Sequence, residues 1–228
     1  MSSLILDRLP QAVVFDFDGV LAESNQVKNR AFEQLAAEYG VHAKKMLEYH
    51  RQHQHAPRIE KFYYYATELF GYELDSDLWR QSVDRLGEQF SSLVKSGVIA
   101  VPEVRGVRAL LTFLKEAGVY RYIASTTPHD ELQEIVAERD LGSFFDGIYG
   151  NPPHSKRHVI KRVIQERELK PDDLLFIGDS MADYDAASAE AVPFWGRISE
   201  NHFTEPAACW FEDLEKIRVE LVRIKDEH

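Results

Sequence analysis

Short apolar runs alternate with helical patterns along much of the chain, and this alternation restricts the fold more than any other feature. The runs are rich in β-branched and aromatic residues, which is typical of buried strands. Four are well defined and two are weaker: 12–16, 120–125, 144–149 and 174–178, then 192–195 and 208–211. Helical patterns fall between them at residues 104–117, 128–138, 156–168 and 182–189. The pattern predicts an α/β fold with a doubly wound, mostly parallel sheet that helices cover on both faces.

Residues 25–96 interrupt this rhythm, because they show helical periodicity alone. We predict four helices here, at residues 25–39, 43–52, 57–70 and 77–95. Gly40, Gly71 and Gly97 are interpreted as the breaks between helices. The simplest organisation has two domains: a core of residues 1–21 and 99–228, and an all-helical insert of residues 22–98.

The composition excludes some partners. Lys plus Arg total 27 and Asp plus Glu total 38, which gives a formal charge of −11. This acidity argues against nucleic acid or an anionic membrane as a partner. The one cysteine, Cys209, has no partner for an internal disulfide, which favours a reducing compartment. We find no signal peptide and no apolar stretch long enough to span a bilayer, so we expect a cytoplasmic protein.

Polar side chains follow several predicted strands at the point where each strand ends. In an open parallel sheet, the carboxyl ends of the strands form the active crevice. We therefore expect one cluster there, built from Asp16 and Asp18, Ser125 and Thr126, Lys156, and Asp179 with Asp183.

The sequence FDFDG places two carboxylates at the end of a buried strand, where two bare charges would repel each other. A hard cation with oxygen ligands resolves this repulsion, and Asp179 completes the ligand set. Magnesium suits this inventory because it takes a few carboxylates, several waters and a phosphate oxygen. One of the two carboxylates is then free to attack phosphorus while Lys156 and Ser125 hold the phosphoryl oxygens.

Each residue also has an ordinary structural interpretation. Ser125 is expected in many chains as a helix cap, and Lys156 as a solvated residue on a helix face. Asp179 or Ser180 is well placed to cap the following helix. The joint placement of these residues after successive strands favours a catalytic site over these alternatives.

Four segments, DFDGV, IASTTP, Lys156 and GDSMAD, resemble the four motifs of the haloacid dehalogenase superfamily. The resemblance extends over nearly the whole chain and includes a helical cap inserted after the first motif. This arrangement looks like the phosphoglycolate phosphatase and β-phosphoglucomutase branch, which implies a Rossmann-like catalytic core and a cap that selects the substrate.

The resemblance implies a role for each motif residue. Asp16 is the nucleophile and a Mg²⁺ ligand, and Asp18 is the general acid and base whose backbone carbonyl also binds the metal. Ser125 and the amide of Thr126 bind the phosphate, and Lys156 pairs with Asp16 and the phosphate. Asp179 is a direct metal ligand, while Asp183 orients the metal shell. Since true dehalogenases lack the second carboxylate, a carbon–halogen substrate is not expected.

Three functions remain open on this scaffold. The first is a Mg²⁺-dependent phosphatase that hydrolyses a small phosphate monoester, a sugar phosphate or a phosphorylated small acid, through an aspartyl-phosphate intermediate. The second is a phosphomutase acting on a sugar phosphate, and the third is a binding protein without turnover. The expected partner is thus a small phosphorylated molecule.

The cap offers three candidate substrate-binding cations, Lys28, Arg58 and Lys61. They suit a hydroxyl, a carboxylate or a second phosphate, although Arg58 and Lys61 can equally be solvated helix residues. His50, His53 and His55 do not share one helix face, so we interpret them as histidines of the surface or the cap hinge rather than as zinc ligands.

Overall fold

The computed structural model describes residues 6–53, 56–200 and 209–227. In this part of the chain the strands form a single sheet in the order β3-β2-β1-β4-β5-β6, and every neighbouring pair is parallel. The strands are β1 Ala12–Phe15, β2 Tyr120–Ser125, β3 Gly147–Gly150, β4 Leu174–Gly178, β5 Phe194–Arg197 and β6 Cys209–Phe211. The predicted α/β class with a doubly wound parallel sheet is therefore confirmed.

Helices cover the sheet and form a separate bundle. The helices of the sheet unit are α5 Val107–Glu116, α6 His129–Glu138, α7 Lys156–Glu166, α8 Met181–Ser188 and α9 Leu214–Asp226. Those of the bundle are α1 Asn25–Ala37, α2 Ala43–Gln52, α3 Arg58–Tyr64 and α4 Asp77–Ala100. The core against α7 joins Val14, Tyr122 and Phe176 of the central strands to Val159 and Val163. Because β1 and β4 are buried over their whole length, they appear in the sequence as continuous apolar runs.

Two strands begin later than predicted. The third begins at Gly147 rather than at residue 144, because Gly142–Phe144 forms a short 3₁₀ helix. The carboxylate of Asp146 then accepts a hydrogen bond of 2.8 Å from the backbone N–H of Arg121 and fixes the start of β3. The fifth lies at Phe194–Arg197 rather than at 192–195. Residue 208 of the sixth predicted strand lies outside the described residues.

Two helices of the sheet unit were not predicted correctly. The sequence pattern started a helix at residue 104, but α5 starts at Val107, after Gly106 with a φ of +89°. A Cβ on Gly106 would lie 2.2 Å from the backbone nitrogen of Glu215, so this turn requires glycine. The helix α9 was missed, although Leu214, Ile217, Leu221 and Ile224 bury one of its faces.

The interpretation of Gly97 as a break between helices was wrong, because α4 continues through it to Ala100. A Cβ at this position would lie 2.6 Å from Cγ1 of Val27, so the glycine allows α1 and α4 to pack closely. The predicted helix at 57–70 is instead α3 followed by a π-helical turn, Tyr65–Leu69.

By its internal contacts the chain divides into two compact units, Met1–Glu23 with Val101–His228, and Ser24–Ala100. The first contains the sheet and the second contains α1 to α4. None of the helices within the described ranges combines the length and the apolar content needed to cross a membrane.

Candidate active site

The topology of the sheet brings the motif residues to one edge. Asp16 directly follows β1, and Asp179 directly follows β4, the strand next to β1 in the sheet. Ser125 is the last residue of β2, and Lys156 is the first residue of α7. The strand order reverses direction at β1 and β4, and this switch point is where open α/β sheets bind their ligands.

Three buried carboxylates meet at this switch point. Asp16, Asp179 and Asp183 each present an oxygen within 4.8 Å of the others. Their exposed fractions are 5%, 2% and 0%. Oxygen atoms at this spacing, shielded from water, are suitable ligands for a hard divalent cation.

Lys156 is the cation that the structure places against this cluster. Its Nζ lies 2.9 Å from Oδ2 of Asp16 and 2.5 Å from Oδ1 of Asp183. The lysine is buried, so its interpretation as a solvated residue on a helix face was wrong. The ion pairs are formed away from water, where the Coulomb attraction within each pair is stronger than it would be at the surface.

The pKa values reflect the excess of negative charge. Burial raises the pKa of Asp16 well above its ordinary value, the neighbouring carboxylates raise it further, and Lys156 opposes the shift. Burial lowers the pKa of Lys156, but Asp16 and Asp183 more than offset this, so its pKa lies above the ordinary value. The ammonium group thus stays charged, and an additional positive charge would favour the ionised form of Asp16.

Asp183 combines a structural role with its place in the cluster. Its Oδ2 accepts hydrogen bonds from the Ser180 backbone N–H at 3.1 Å and the Ser180 hydroxyl at 2.5 Å. Ser180 and Asp183 form a capping box at the start of α8, so the interpretation of Ser180 as a helix cap is correct. Gly178 makes room for this arrangement, since a Cβ there would lie 2.4 Å from the Cβ of Asp183.

Asp18 lies beside the end of β2. Its Oδ2 accepts long hydrogen bonds from the hydroxyls of Ser125 at 3.5 Å and Thr127 at 3.4 Å. The Ser125 Oγ also accepts a hydrogen bond of 3.1 Å from the Thr127 backbone N–H. Ser125 is not the cap of the following helix, because the N-cap residue of α6 is Pro128. Thr126 lies between the two and is partly exposed. Thr127 was not among the predicted site residues; the hydroxyl run Ser-Thr-Thr is the signal that indicates it.

Ser199 was also missed. Its hydroxyl donates a hydrogen bond of 2.7 Å to Oδ2 of Asp179, and both residues are buried. The contact joins residues 20 apart in sequence across neighbouring strand ends. Nothing in the local sequence pattern around Ser199 indicates it.

The three candidate cations of the cap lie in the helical unit, and each has its own surroundings. Arg58 donates a hydrogen bond of 3.0 Å to the hydroxyl of Ser91. Lys61 is buried, so its interpretation as a solvated residue was wrong. Its Nζ lies 3.1 Å from Nδ1 of His50 and 4.7 Å from the ring centroid of Phe32. Burial, assisted by the charge of Lys28 on α1, lowers the pKa of Lys61 to about 7.

His50 was expected at the surface or at the cap hinge, and this was wrong. The residue is buried, and its ring stacks on Phe32 with centroids 4.1 Å apart. Burial, followed by the charge of Lys61, lowers the pKa of His50 to about 3, so the imidazole is neutral. Its Nδ1 then accepts from Lys61 and its Nε2 donates to Oδ1 of Asn29 at 3.2 Å. His53 is exposed, and His55 lies outside the described residues.

A parallel sheet with a carboxylate cluster at its switch point is the architecture of an α/β protein that binds its ligand at the strand ends. The chain belongs to the haloacid dehalogenase-like hydrolase family, whose model matches residues 13–196. The resemblance inferred from the four motifs is thus confirmed, and the chain is an enzyme of the hydrolase class.

Several known proteins are similar to this chain. A phosphorylated carbohydrates phosphatase of Thermotoga maritima is 24% identical over 186 residues, which cover 80% of this chain and 82% of that protein. A phosphoglycolate phosphatase of Pseudomonas savastanoi pv. phaseolicola is 25% identical over 193 residues, which cover 83% of this chain and 70% of that protein. The crystal structure of a putative haloacid dehalogenase-like hydrolase from Bacteroides fragilis has the same fold. Its TM-score is 0.71 at 21% identity, with 91% of this chain and 99% of that chain covered.

Proposed function

We propose that the protein is a Mg²⁺-dependent phosphatase that hydrolyses small phosphate monoesters through an aspartyl-phosphate at Asp16. One observation carries the proposal: Asp16 is buried in contact with the ammonium group of Lys156 and in one cluster with the carboxylates of Asp179 and Asp183. A carboxylate in this environment is oriented for attack on phosphorus, and the charges beside it suit both a cation and a phosphoryl group.

The residues present fit Mg²⁺. Three acidic side chains, those of Asp18, Asp179 and Asp183, raise the pKa of the nucleophile Asp16, and Lys156 lowers it. The donor atoms are carboxylate oxygens, the ligand type that Mg²⁺ prefers. We assign Asp16, Asp179 and the backbone carbonyl of Asp18 as ligands, with Asp183 orienting the surrounding shell. When bound, the ion would offset the charge of the phosphoryl group and of Asp16.

The chemistry proceeds in two displacements at phosphorus. A carboxylate oxygen of Asp16 attacks phosphorus, the ester P–O bond breaks, and Asp18 gives a proton to the departing oxygen. Asp18 then takes a proton from water, whose oxygen attacks the same phosphorus and releases inorganic phosphate and the Asp16 carboxylate. The side chain of Ser125, the amide of Thr126 and Lys156 hold the phosphoryl oxygens during both steps.

Ser125 and Thr127 support the assignment of Asp18 as the proton carrier. Their hydroxyls both lie against Oδ2 of Asp18, so they restrict the rotation of this carboxyl group. A general acid has to be fixed within hydrogen-bond reach of the oxygen that it protonates. Long hydrogen bonds of this kind leave the carboxyl group able to exchange its proton with substrate and water.

For the helical unit we propose a role in substrate selection. Lys28, Arg58 and Lys61 are cations suited to the carboxylate, hydroxyl or second phosphate of a phosphorylated small acid or a sugar phosphate. The burial of Lys61 beside Phe32 and His50 distinguishes it from an ordinary surface lysine. The names of the relatives from Thermotoga and Pseudomonas support the same two substrate classes.

Phosphate release from a panel of sugar phosphates, phosphoglycolate and nucleotides tests the proposal. We expect turnover of one class with Mg²⁺, very little after removal of the metal, and loss of activity in the Asp16→Asn variant. Product analysis with sugar 1-phosphates separates hydrolysis from mutase chemistry, in which the phosphoryl group appears on another hydroxyl. Turnover that is equal with and without metal, or unchanged in Asp16→Asn, would refute the mechanism.

A further inference from the structure

The segment that follows β5 contacts the loops at the ends of β1 and β4. Ser199 donates to Oδ2 of Asp179 at 2.7 Å, directly after β4. Two residues earlier, Arg197 donates through Nη1 to the carbonyl of Gly19 at 3.1 Å, in the loop after β1. Neither residue belongs to the four family motifs, yet together they touch both loops that carry the carboxylate cluster.

The segment is itself held in place. The guanidinium group of Arg197 pairs with Glu23 through Nη1 at 3.0 Å and Nη2 at 2.6 Å. Between Arg197 and Ser199, the backbone N–H of Ile198 donates to the carbonyl of Phe211 in β6 at 2.8 Å. Because the side chain of Arg197 and the backbone of Ile198 are both held by hydrogen bonds, Ser199 has a defined position relative to Asp179.

The hydroxyl of Ser199 restricts the carboxylate of Asp179. A carboxylate at the end of a strand rotates about its terminal side-chain torsion, and this torsion has only a weak intrinsic preference. A buried hydrogen bond to one of its oxygens selects one orientation and partly compensates the loss of water. Partners of this kind, behind a metal ligand, typically change metal affinity by about 10- to 100-fold.

We propose that Ser199 is a positioning residue that orients the carboxylate of Asp179 toward the divalent cation. The inference rests on the proposed function, since it requires a cation at the carboxylate cluster. Ser199 does not touch the reacting atoms. It acts through Asp179, and Arg197 and Ile198 hold the segment from which it acts.

Calorimetric titration of Mg²⁺ into the metal-free protein tests the proposal with a readout other than activity. We expect Ser199→Ala to raise the dissociation constant for Mg²⁺ at least about 10-fold. Ser199→Thr keeps the hydroxyl and should bind nearly as wild type does. Ser188→Ala, an exposed serine at the end of α8, is the matched control and should leave binding unchanged.

A double-mutant cycle separates this effect from a general loss of structure. In the Asp179→Asn background, Ser199→Ala should have little further effect on Mg²⁺ binding, because its partner carboxylate is already gone. Equal Mg²⁺ affinity of wild type and Ser199→Ala would overturn the inference while leaving the proposed function intact. If wild type itself bound no Mg²⁺, the proposed function and the inference would both fail. The unfolding temperature of the metal-free variants reports whether the fold is retained.

Discussion

Nζ of Lys156 lies 2.9 Å from Oδ2 of Asp16, at a site that both side chains share with the carboxylate of Asp183. The lysine starts α7 and the aspartate directly follows β1, so two residues 140 positions apart in the sequence form this contact. In the proposed mechanism the same ammonium group holds the nucleophile in place and receives the phosphoryl oxygens.

Replacing Lys156 by Met should reduce activity and stability together. Loss of a charged group that stabilises the transition state costs about 10²- to 10³-fold in kcat. Leaving the buried carboxylates unpaired should cost about 3–5 kcal/mol in the free energy of unfolding. Kinetics with the preferred ester and urea unfolding measure the two effects. Lys156→Arg, which keeps a positive charge, should lose less stability, and a fully active Lys156→Met variant would contradict this role.

Gly178→Ala should displace Asp183. The added Cβ would lie 2.4 Å from the Cβ of Asp183, and the capping box leaves that residue little room to move. We expect a loss of about 1–3 kcal/mol in the free energy of unfolding and a lower kcat. Gly142→Ala is the matched control, because a Cβ there meets nothing within 4 Å. Equal stability of the two variants, measured by urea unfolding, would show that Gly178 has no packing role.

Gly97→Ala and Gly87→Ala should change stability in opposite directions, although both glycines lie in α4. At Gly97 the new methyl group would lie 2.6 Å from Cγ1 of Val27, whereas at Gly87 it would meet nothing within 4 Å. We therefore expect Gly87→Ala to stabilise the protein by about 0.5–1 kcal/mol, through better helix propensity. Gly97→Ala should destabilise it. Thermal unfolding of both variants checks the sign, and stabilisation by both would argue against close packing of α1 on α4.

The stability of the wild-type protein should depend on the protonation of Lys61. The pKa of Lys61 is lowered from 10.5 to about 7 in the folded state, so between these values the unfolded chain binds more protons. The free-energy contribution of Lys61 to stability therefore rises as the pH increases from about 7 towards 10.5. Below pH 7 the folded protein keeps a buried charge, which is unfavourable.

Lys61→Met removes this titrating group and should be most stabilising, relative to wild type, below pH 7. The difference in unfolding free energy between variant and wild type should shrink as the pH rises through 7 and above. Urea unfolding from pH 6 to 10 measures it, with Lys45→Met, an exposed lysine of α2, as the control. A difference that does not vary with pH would contradict a lowered pKa for Lys61.

The sequence predicts where several polar residues of the candidate site lie, because these residues coincide with strand ends. Asp16, Ser125 and Asp179 each lie at or directly after a recognisable apolar run, and parallel strands bring such positions to one edge. The position of Lys156 at this edge is predicted in the same way, because Lys156 is the first residue of the helix that follows β3. The α/β class is predicted from the continuous apolar runs of the strands, because a strand has such a run when its sheet is buried on both faces.

The remaining features depend on contacts that no local pattern encodes. Ser199 reaches Asp179 from the end of another strand, so its role depends on the register of β5 against β4. From the sequence Gly97 is interpreted as a helix break. In the structure it is the side chain of Val27, seventy residues away, that leaves no room for a Cβ at this position. Lys61 and His50 have the sequence pattern of surface residues, and the stacking around Phe32 buries them. The helix α9 is different, since its periodic apolar face was present in the sequence.

Chemical trapping of the intermediate tests the central claim most directly. Enzyme, Mg²⁺ and the preferred ester are mixed, quenched within one turnover and reduced with borohydride, which converts an aspartyl-phosphate to homoserine. Peptide mass spectrometry then locates the change. The proposed mechanism predicts homoserine at position 16 when both ester and Mg²⁺ are present, and none in Asp16→Asn. Active enzyme with an unmodified Asp16, or with the modification at another carboxylate, would contradict it.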